Sequence, residues 1–246
     1  MRYLILSDIH ANWEALEAVL AHAAGEYDQV VCCGDLVGYG PDPNAIVDWV
    51  RSNVAFVIRG NHDKAAVGLE NLEWFNPVAR TAALWTQTEL TAENSEYVRQ
   101  LAKGPLAVDH YQIAHGSPLD EDEYLIGGAE VAQVFEYLDR NITFFGHTHV
   151  QGGFAVTRGR GRVLYGPSPD EESAGLDLDP DGDYLINPGA IGQPRDGDPR
   201  AAYLLYEPES HGVVYHRQEY DIAKVQAKIR GAGLPDFLAA RLGVGQ

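Results

Sequence analysis

The chain has 246 residues, 45% of them hydrophobic, which is ordinary for a globular protein and enough for one large α/β domain or two small ones. Its formal net charge of −18 argues against diffuse binding to duplex nucleic acid or to an anionic membrane surface, because both depend on Lys and Arg. No apolar run approaches the roughly 20 residues of a membrane span, and Tyr3–Leu6 is too short for a signal peptide, so a cytoplasmic protein is expected.

The first sixty residues alternate strand and helix. Residues 3–7 read as a buried strand. Asn12 then caps a helix with apolar positions at Trp13, Leu16, Val19 and Leu20, ending near Gly25. Residues 29–33 form the next strand. Cys32 and Cys33 on it point to opposite faces, which predicts two buried thiols and no disulfide between them. A Pro-rich turn leads to a helix at about 44–51, followed by a strand at 55–59. This alternation predicts a parallel sheet with covering helices. Residues 76–101 carry helix formers and read as two helices. Strands follow at 111–114 and 142–145, with a helix at about 129–140 between them.

Beyond His149 the pattern changes to short strand-like segments, at 153–157, 162–165, 202–206 and 212–219. They predict a second, largely antiparallel sheet packed on the first. Residues 167–183 read as an exposed acidic loop, and 222–242 as one or two helices broken around residues 231–235. Asp177, Asp179, Asp181 and Gly182 match the start of a calcium loop, but its twelfth position is Pro188 where a Glu is needed, so no calcium site is expected. No linker or repeat divides the chain, which reads as a single domain over 1–246.

Five polar signatures each follow an apolar run: Asp8-Ile9-His10, Gly34-Asp35, Gly60-Asn61-His62-Asp63, His115-Gly116 and Gly146-His147-Thr148-His149. Ligands of open α/β sheets bind beyond the carboxyl ends of strands, so signatures far apart in sequence can converge there. Alternation just past a strand would put Asp8 and His10 on one side, with Ile9 in the core, and the same logic applies to His147 and His149. Buried Asp8 and Asp35 would be costly as isolated charges, a cost that metal coordination removes.

In order, spacing and residue type these signatures resemble the calcineurin-like metallophosphoesterases, over about residues 1–220. Residues 35–41 (DLVGYGP) and 187–195 (NPGAIGQPR) are most similar to the small prokaryotic "predicted phosphodiesterase" members. The resemblance implies an α/β fold of two packed mixed β-sheets flanked by helices, a four-layer α/β-β/α sandwich. It also implies two divalent ions. Asp8, His10 and His149 would bind the first, Asn61, His115 and His147 the second, and Asp35 both. The nitrogen and oxygen donors suit Mn²⁺, Fe²⁺ or Zn²⁺ better than Mg²⁺. The attacking species would be a hydroxide on the ions. His62 would be the general acid, or a donor to the transition-state phosphoryl group, with Asp63 orienting it.

Two further residues are weaker candidates for substrate binding. Arg195 would either grip a phosphate or pair with Asp196 or Asp198, and Tyr39 would either stack on a base or sugar or pack internally. The expected function is a dimetal-dependent hydrolase acting on small phosphate esters or nucleotides, with no duplex nucleic acid or membrane partner. A diadenosine-polyphosphate hydrolase or a protein phosphatase is the alternative on the same scaffold. A non-catalytic interaction module is disfavoured because all seven ligand positions and His62 carry suitable residues.

Overall fold

The computed structural model describes residues 1–246. Its first half runs β1 (Tyr3–Leu6), α1 (Trp13–His22), β2 (Gln29–Cys32), α2 (Pro43–Asn53), β3 (Phe56–Val57), α3 (Asn61–Ala66), α4 (Pro77–Glu89) and α5 (Ala92–Arg99). Then come β4 (Leu106–Val108), β5 (Tyr111–Ile113), α6 (Gly128–Glu136) and β6 (Ile142–Phe144). The chain ends with β7 (Gly152–Thr157), β8 (Arg160–Tyr165), β9 (Ser173–Asp177), β10 (Asp183–Asn187), β11 (Ala201–Glu207), β12 (Gly212–Gln218), α7 (Ile222–Gly231) and α8 (Asp236–Leu242).

These strands form two six-stranded mixed sheets, in the orders β3-β2-β1-β11-β12-β9 and β4-β5-β6-β10-β7-β8. The two-residue period of a strand sets the layers. Tyr3, Ile5, Val31 and Cys33 enter the apolar core between the sheets, where they meet Tyr111, Ile113 and Phe144. Leu4, Leu6, Val30 and Cys32 face outward into a second core, closed by Leu16 and Val19 of α1 and Ile46, Val47 and Val50 of α2. On the far side, Val131 and Val134 of α6 pack with Phe145 and Leu185. Cys32 and Cys33 therefore lie in different layers as free thiols. No helix is long and apolar enough to cross a membrane.

The segments after His149 do not make a sheet of their own, contrary to the sequence reading. β10 runs parallel to β6 and carries the β7-β8 hairpin on its other side, while β11 inserts antiparallel to β1 and carries β12 and β9. β11 suits that central place because Ala202, Tyr203, Leu204 and Tyr206 bury both of its faces. The acidic stretch 167–183 is likewise not all loop, since it contains β9. This edge strand leaves Ser173, Gly175 and Asp177 exposed and so lacks a strong apolar signal.

Candidate metal centre and its cleft

The five signatures meet at one end of the sheets, and the loops that carry them brace one another. The Asp8 N–H donates to Gly34 O at 3.0 Å, the His10 N–H to Asp35 O at 3.0 Å, and the Gly192 N–H to Asp8 O at 2.9 Å. Asn12, which caps α1 by accepting from the Ala15 N–H, also donates to Gly192 O at 3.0 Å. Asn187 donates to Gly146 O and to the Thr148 hydroxyl, at 2.9 and 3.0 Å, and so fixes the loop that carries His147 and His149.

Ile9 is fully buried in the helix-side core, yet simple extended alternation does not aim the ligands. Asp8, His10, Asp35, His147 and His149 all have left-handed backbones, with φ of 51, 47, 53, 66 and 59°. Each such residue costs about 1–3 kcal/mol and persists only where its surroundings impose it, typically at a functional site.

The side chains form two overlapping groups. Asp8, His10, Asp35 and His149 converge in one, and Asp35, His115 and His147 in the other, with ligating atoms within 4.8 Å of one another in each. Asn61 joins the second, its Oδ1 lying 3.3 Å from His115 Nε2. All seven positions singled out in the sequence are thus brought together, and Asp35 belongs to both groups.

The hydrogen bonds fix which ring nitrogens are free. A backbone carbonyl only accepts, so His10 Nδ1 donates to Val37 O at 3.0 Å, His149 Nδ1 to Gln193 O at 2.6 Å and His115 Nδ1 to Cys33 O at 2.9 Å. For a neutral imidazole this leaves the Nε2 lone pair bare in each ring. The His10 and His149 Nε2 atoms face each other at 3.1 Å, and His149 Nε2 is 3.3 Å from Asp8 Oδ1. His115 Nε2 lies 3.4 Å from Asp35 Oδ2, an oxygen that is buried without a hydrogen-bond donor. His147 has the opposite tautomer: its Nε2 donates to Asp122 O at 3.1 Å, leaving Nδ1 to ligate. Converging imidazole and carboxylate donors are what a cation requires, and an ion in the second group would displace the proton that Asp35 otherwise holds on His115 Nε2. The donor set of carboxylate, amide oxygen and imidazole fits divalent ions of the first transition row.

The titration behaviour of the cluster follows from the same crowding. Burial pushes His10 well down, and burial with the neighbouring His115 charge takes His147 to about 3. Burial also opposes charge on His115, but Asp35 outweighs it and lifts this ring to about 10. Burial disfavours the charged forms of Asp8 and Asp35, yet the adjacent imidazoles hold both below the usual carboxylate range.

Two glycines permit the close approach. A Cβ on Gly60 would lie 2.1 Å from Asp35 Oδ1, and one on Gly146 would lie 2.0 Å from Ser7 Oγ and 2.7 Å from Asp8 Oδ2. Gly60→Ala is expected to displace Asp35 and weaken Mn²⁺ binding about ten-fold or more, as the loss of a ligand-orienting contact does. Retention of Mn²⁺ at the wild-type level through gel filtration would show that this packing does not position the carboxylate.

Asp63 does not orient His62, which corrects the sequence reading. Asp63 is the third residue of α3, and its carboxylate turns back to accept from the N–H groups of Gly60 (2.9 Å), Leu36 (2.9 Å) and Val37 (3.2 Å). This is an N-terminal cap that also ties α3 to the Asp35 loop. Burial and the Asp35 charge push the Asp63 carboxyl up to about 7, against these three donors, which favour the ionised form. The His62 ring instead packs against Tyr39, His10 and Phe75, at centroid distances of 4.3, 4.9 and 5.2 Å. Its Nδ1 is buried with no partner.

Tyr39 is only 7% exposed, with its ring 4.7 Å from that of His10, so it packs internally and reaches the cleft only at its lining. Arg195 lies over the Tyr39 ring at 5.9 Å and reaches its hydroxyl at 3.4 Å. The alternative partners of Arg195 are engaged elsewhere, Asp196 by Arg217 and Asp198 by Arg200. Arg195 has no carboxylate partner, and its Nε is buried without an acceptor.

The sequence reading missed the cleft that opens from this cluster. It has a volume of about 410 Å³, and its floor includes Asn61, His62 and His147. Its walls carry Trp74, which is 86% exposed, and Tyr124, whose ring lies 3.8 Å from that of His147. Lys64 holds the walls together through Glu70 (3.1 Å), Glu121 (3.2 Å) and Asp122 (2.6 Å). Trp74 precedes a strong helix start at Asn76-Pro77, and that was its only local signal.

Two mixed sheets with buried Asp and His donors at their strand ends define a metal-binding protein of the metallophosphoesterase fold. Residues 1–151 match the family model for calcineurin-like phosphoesterases. The chain is 35% identical over 251 residues to the uncharacterized protein MJ0912 of Methanocaldococcus jannaschii, covering 98% of this chain and 97% of that one. The crystal structure of a metallophosphoesterase from Sphaerobacter thermophilus superposes with a TM-score of 0.86 at 42% identity, covering 100% of this chain and 99% of the other. A hypothetical protein, PH1004 of Pyrococcus horikoshii OT3, shares the fold at a TM-score of 0.76 and 19% identity, over 100% of this chain and 98% of its own. The chain belongs to the calcineurin-like phosphoesterase family.

Proposed function

We propose that the protein is a dimetal-dependent phosphoesterase that hydrolyses small phosphate esters or nucleotides. The observation that carries this reading is the pair of buried donor groups sharing Asp35, with imidazole nitrogens converging at the floor of an open cleft. Asp8, His10 and His149 would hold one ion and Asn61, His115 and His147 the other, with Asp35 common to both. Mn²⁺, Fe²⁺ or Zn²⁺ suits these donors. When bound, such a pair lowers the pKa of water and neutralises the phosphoryl oxygens. The His62 ring lines the cleft with its Nδ1 unpartnered and would donate to the substrate. The net charge of −18 and the small cleft favour small substrates over duplex nucleic acid.

The test is a screen of Mn²⁺-loaded protein against monoesters, an aryl diester, cyclic nucleotides, dinucleoside polyphosphates and duplex DNA. Chelator-sensitive hydrolysis of small esters with little action on the duplex is expected. Inactivity on every small ester, or efficient duplex cleavage, would overturn the reading.

Arg195 supplies a further expectation, because an unpaired guanidinium beside Tyr39 and His62 suits a second phosphate. Arg195→Ala should raise KM for a dinucleoside polyphosphate about ten- to a hundred-fold relative to the aryl diester, from the loss of a charged hydrogen bond of roughly 1.5–3 kcal/mol. An unchanged KM ratio would remove Arg195 from substrate binding.

A further inference from the structure

We propose that the cleft beside the ligand cluster is a nucleobase site, with Trp74 and Tyr124 as its stacking platforms, so that the substrate is a nucleoside phosphate. This rests on the phosphoesterase reading for the phosphate end of the cleft and adds the identity of the other end.

Trp74 carries the argument. A tryptophan is among the costliest side chains to leave in water, yet this one is 86% exposed while lining the cleft. Tyr124 is 49% exposed on the same cleft, and its ring is held in place by His147 at 3.8 Å and 34°. The two exposed rings therefore share one concavity with Asn61 and His147 at its floor. An occupant with its phosphate at the floor must put something planar and apolar against these rings to bury them. The cleft volume of about 410 Å³ falls in the range of small-molecule sites, which suits one nucleotide unit and excludes a duplex.

The polar groups on the walls select a base over a plain aryl ring. The Asn76 carbonyl oxygen is spent on the N–H groups of Val78 and Ala79, which leaves its amide N–H groups to donate to ring nitrogens or carbonyl oxygens. Glu70 and Asp122 place carboxylates on the cleft, and carboxylates accept from exocyclic amino groups. A phenyl ring has neither edge. Lys64 pairs with both carboxylates and so keeps the cleft from repelling an anionic substrate.

Two measurements test the proposal. The first compares the p-nitrophenyl ester of thymidine 5′-monophosphate with methyl p-nitrophenyl phosphate, which release the same leaving group. Stacking on one ring is worth about ten-fold in KM. Wild type should therefore favour the thymidine ester in KM, and Trp74→Ala should shrink that preference about ten-fold, with Tyr124→Ala acting in the same direction. A KM ratio between the esters that Trp74→Ala does not change would overturn the base site while leaving the phosphoesterase reading intact.

The second measurement needs no turnover. Titrating AMP into Zn²⁺-loaded protein should quench indole fluorescence saturably, ribose 5-phosphate should not, and Trp74→Ala should lose the response. If wild type hydrolysed neither diester, the phosphoesterase reading would rest on the monoester screen, and the AMP titration would decide the base site. Absence of quenching, or equal quenching by ribose 5-phosphate, would overturn it.

Discussion

Asp35→Asn should reduce bound Mn²⁺ from two equivalents per chain to one or fewer and lower turnover roughly a thousand-fold. The magnitude follows from several kcal/mol of charge stabilisation by the ions, at 1.36 kcal/mol per decade of rate. Asp35 is the residue common to both donor groups, is fully buried, and presents an Oδ2 that no protein donor satisfies. Its Oδ1 already accepts from the His62 N–H at 2.8 Å, a bond that the Asn oxygen can keep. The substitution is nearly isosteric but removes the charge that pairs with the buried His115, so the chelated variant should melt below chelated wild type while keeping a cooperative transition. That melt separates loss of ligation from loss of fold. His10→Asn reaches only the first group and should spare the second ion. Equal loss from the two variants in elemental analysis would mean that Asp35 does not bridge.

The site was legible in the sequence because five polar signatures follow apolar runs, which bury their own ends, while the assignment of seven ligands came from the resemblance of those signatures to the calcineurin-like metallophosphoesterases. Asp8 and Asp35 could not sit at such ends uncompensated, so their identity announced a partner. The backbone that aims them was not legible. A left-handed Asp or His follows from contacts across the fold, such as the Gly192 N–H on Asp8 O, and local propensity gives no hint of it. Asp63 was misread for a related reason. Adjacency to His62 suggested a partnership, but at the third position of α3 the helix terminus and the Asp35 loop supply three backbone donors that compete for the carboxylate.

The division of strands between the sheets was equally hidden. β9 and β10 are separated by only residues 178–182 yet go to different sheets, a choice made by β12 and β6, far away in the chain. Trp74 escaped notice because an exposed aromatic and a core aromatic look alike in sequence. Only its exposure beside the ligand cluster gives it meaning.

His62→Ala should lower turnover about 10²- to 10³-fold, the usual cost of removing one transition-state hydrogen-bond donor, with metal content near wild type. The ring is not among the converging ligand atoms, and the main-chain contact to Asp35 survives the substitution. Two roles are open to it, proton transfer to the leaving oxygen or hydrogen bonding to the phosphoryl oxygens, and the surroundings favour the second. No carboxylate touches the imidazole, since Asp63 is committed to the backbone. Burial among Tyr39, His10 and Phe75 pushes His62 down to about 4. A neutral imidazole still carries one N–H to donate but is a poor source of a proton. The two roles separate on leaving group. A donor to the phosphoryl oxygens gives the same loss for a nitrophenyl ester and an alkyl ester of equal size. A general acid matters little for nitrophenolate, which leaves unprotonated, and greatly for an alkoxide. We expect equal losses, with His62→Gln recovering part of the rate through its amide N–H. A loss ten-fold or more larger on the alkyl ester would instead assign His62 to proton transfer.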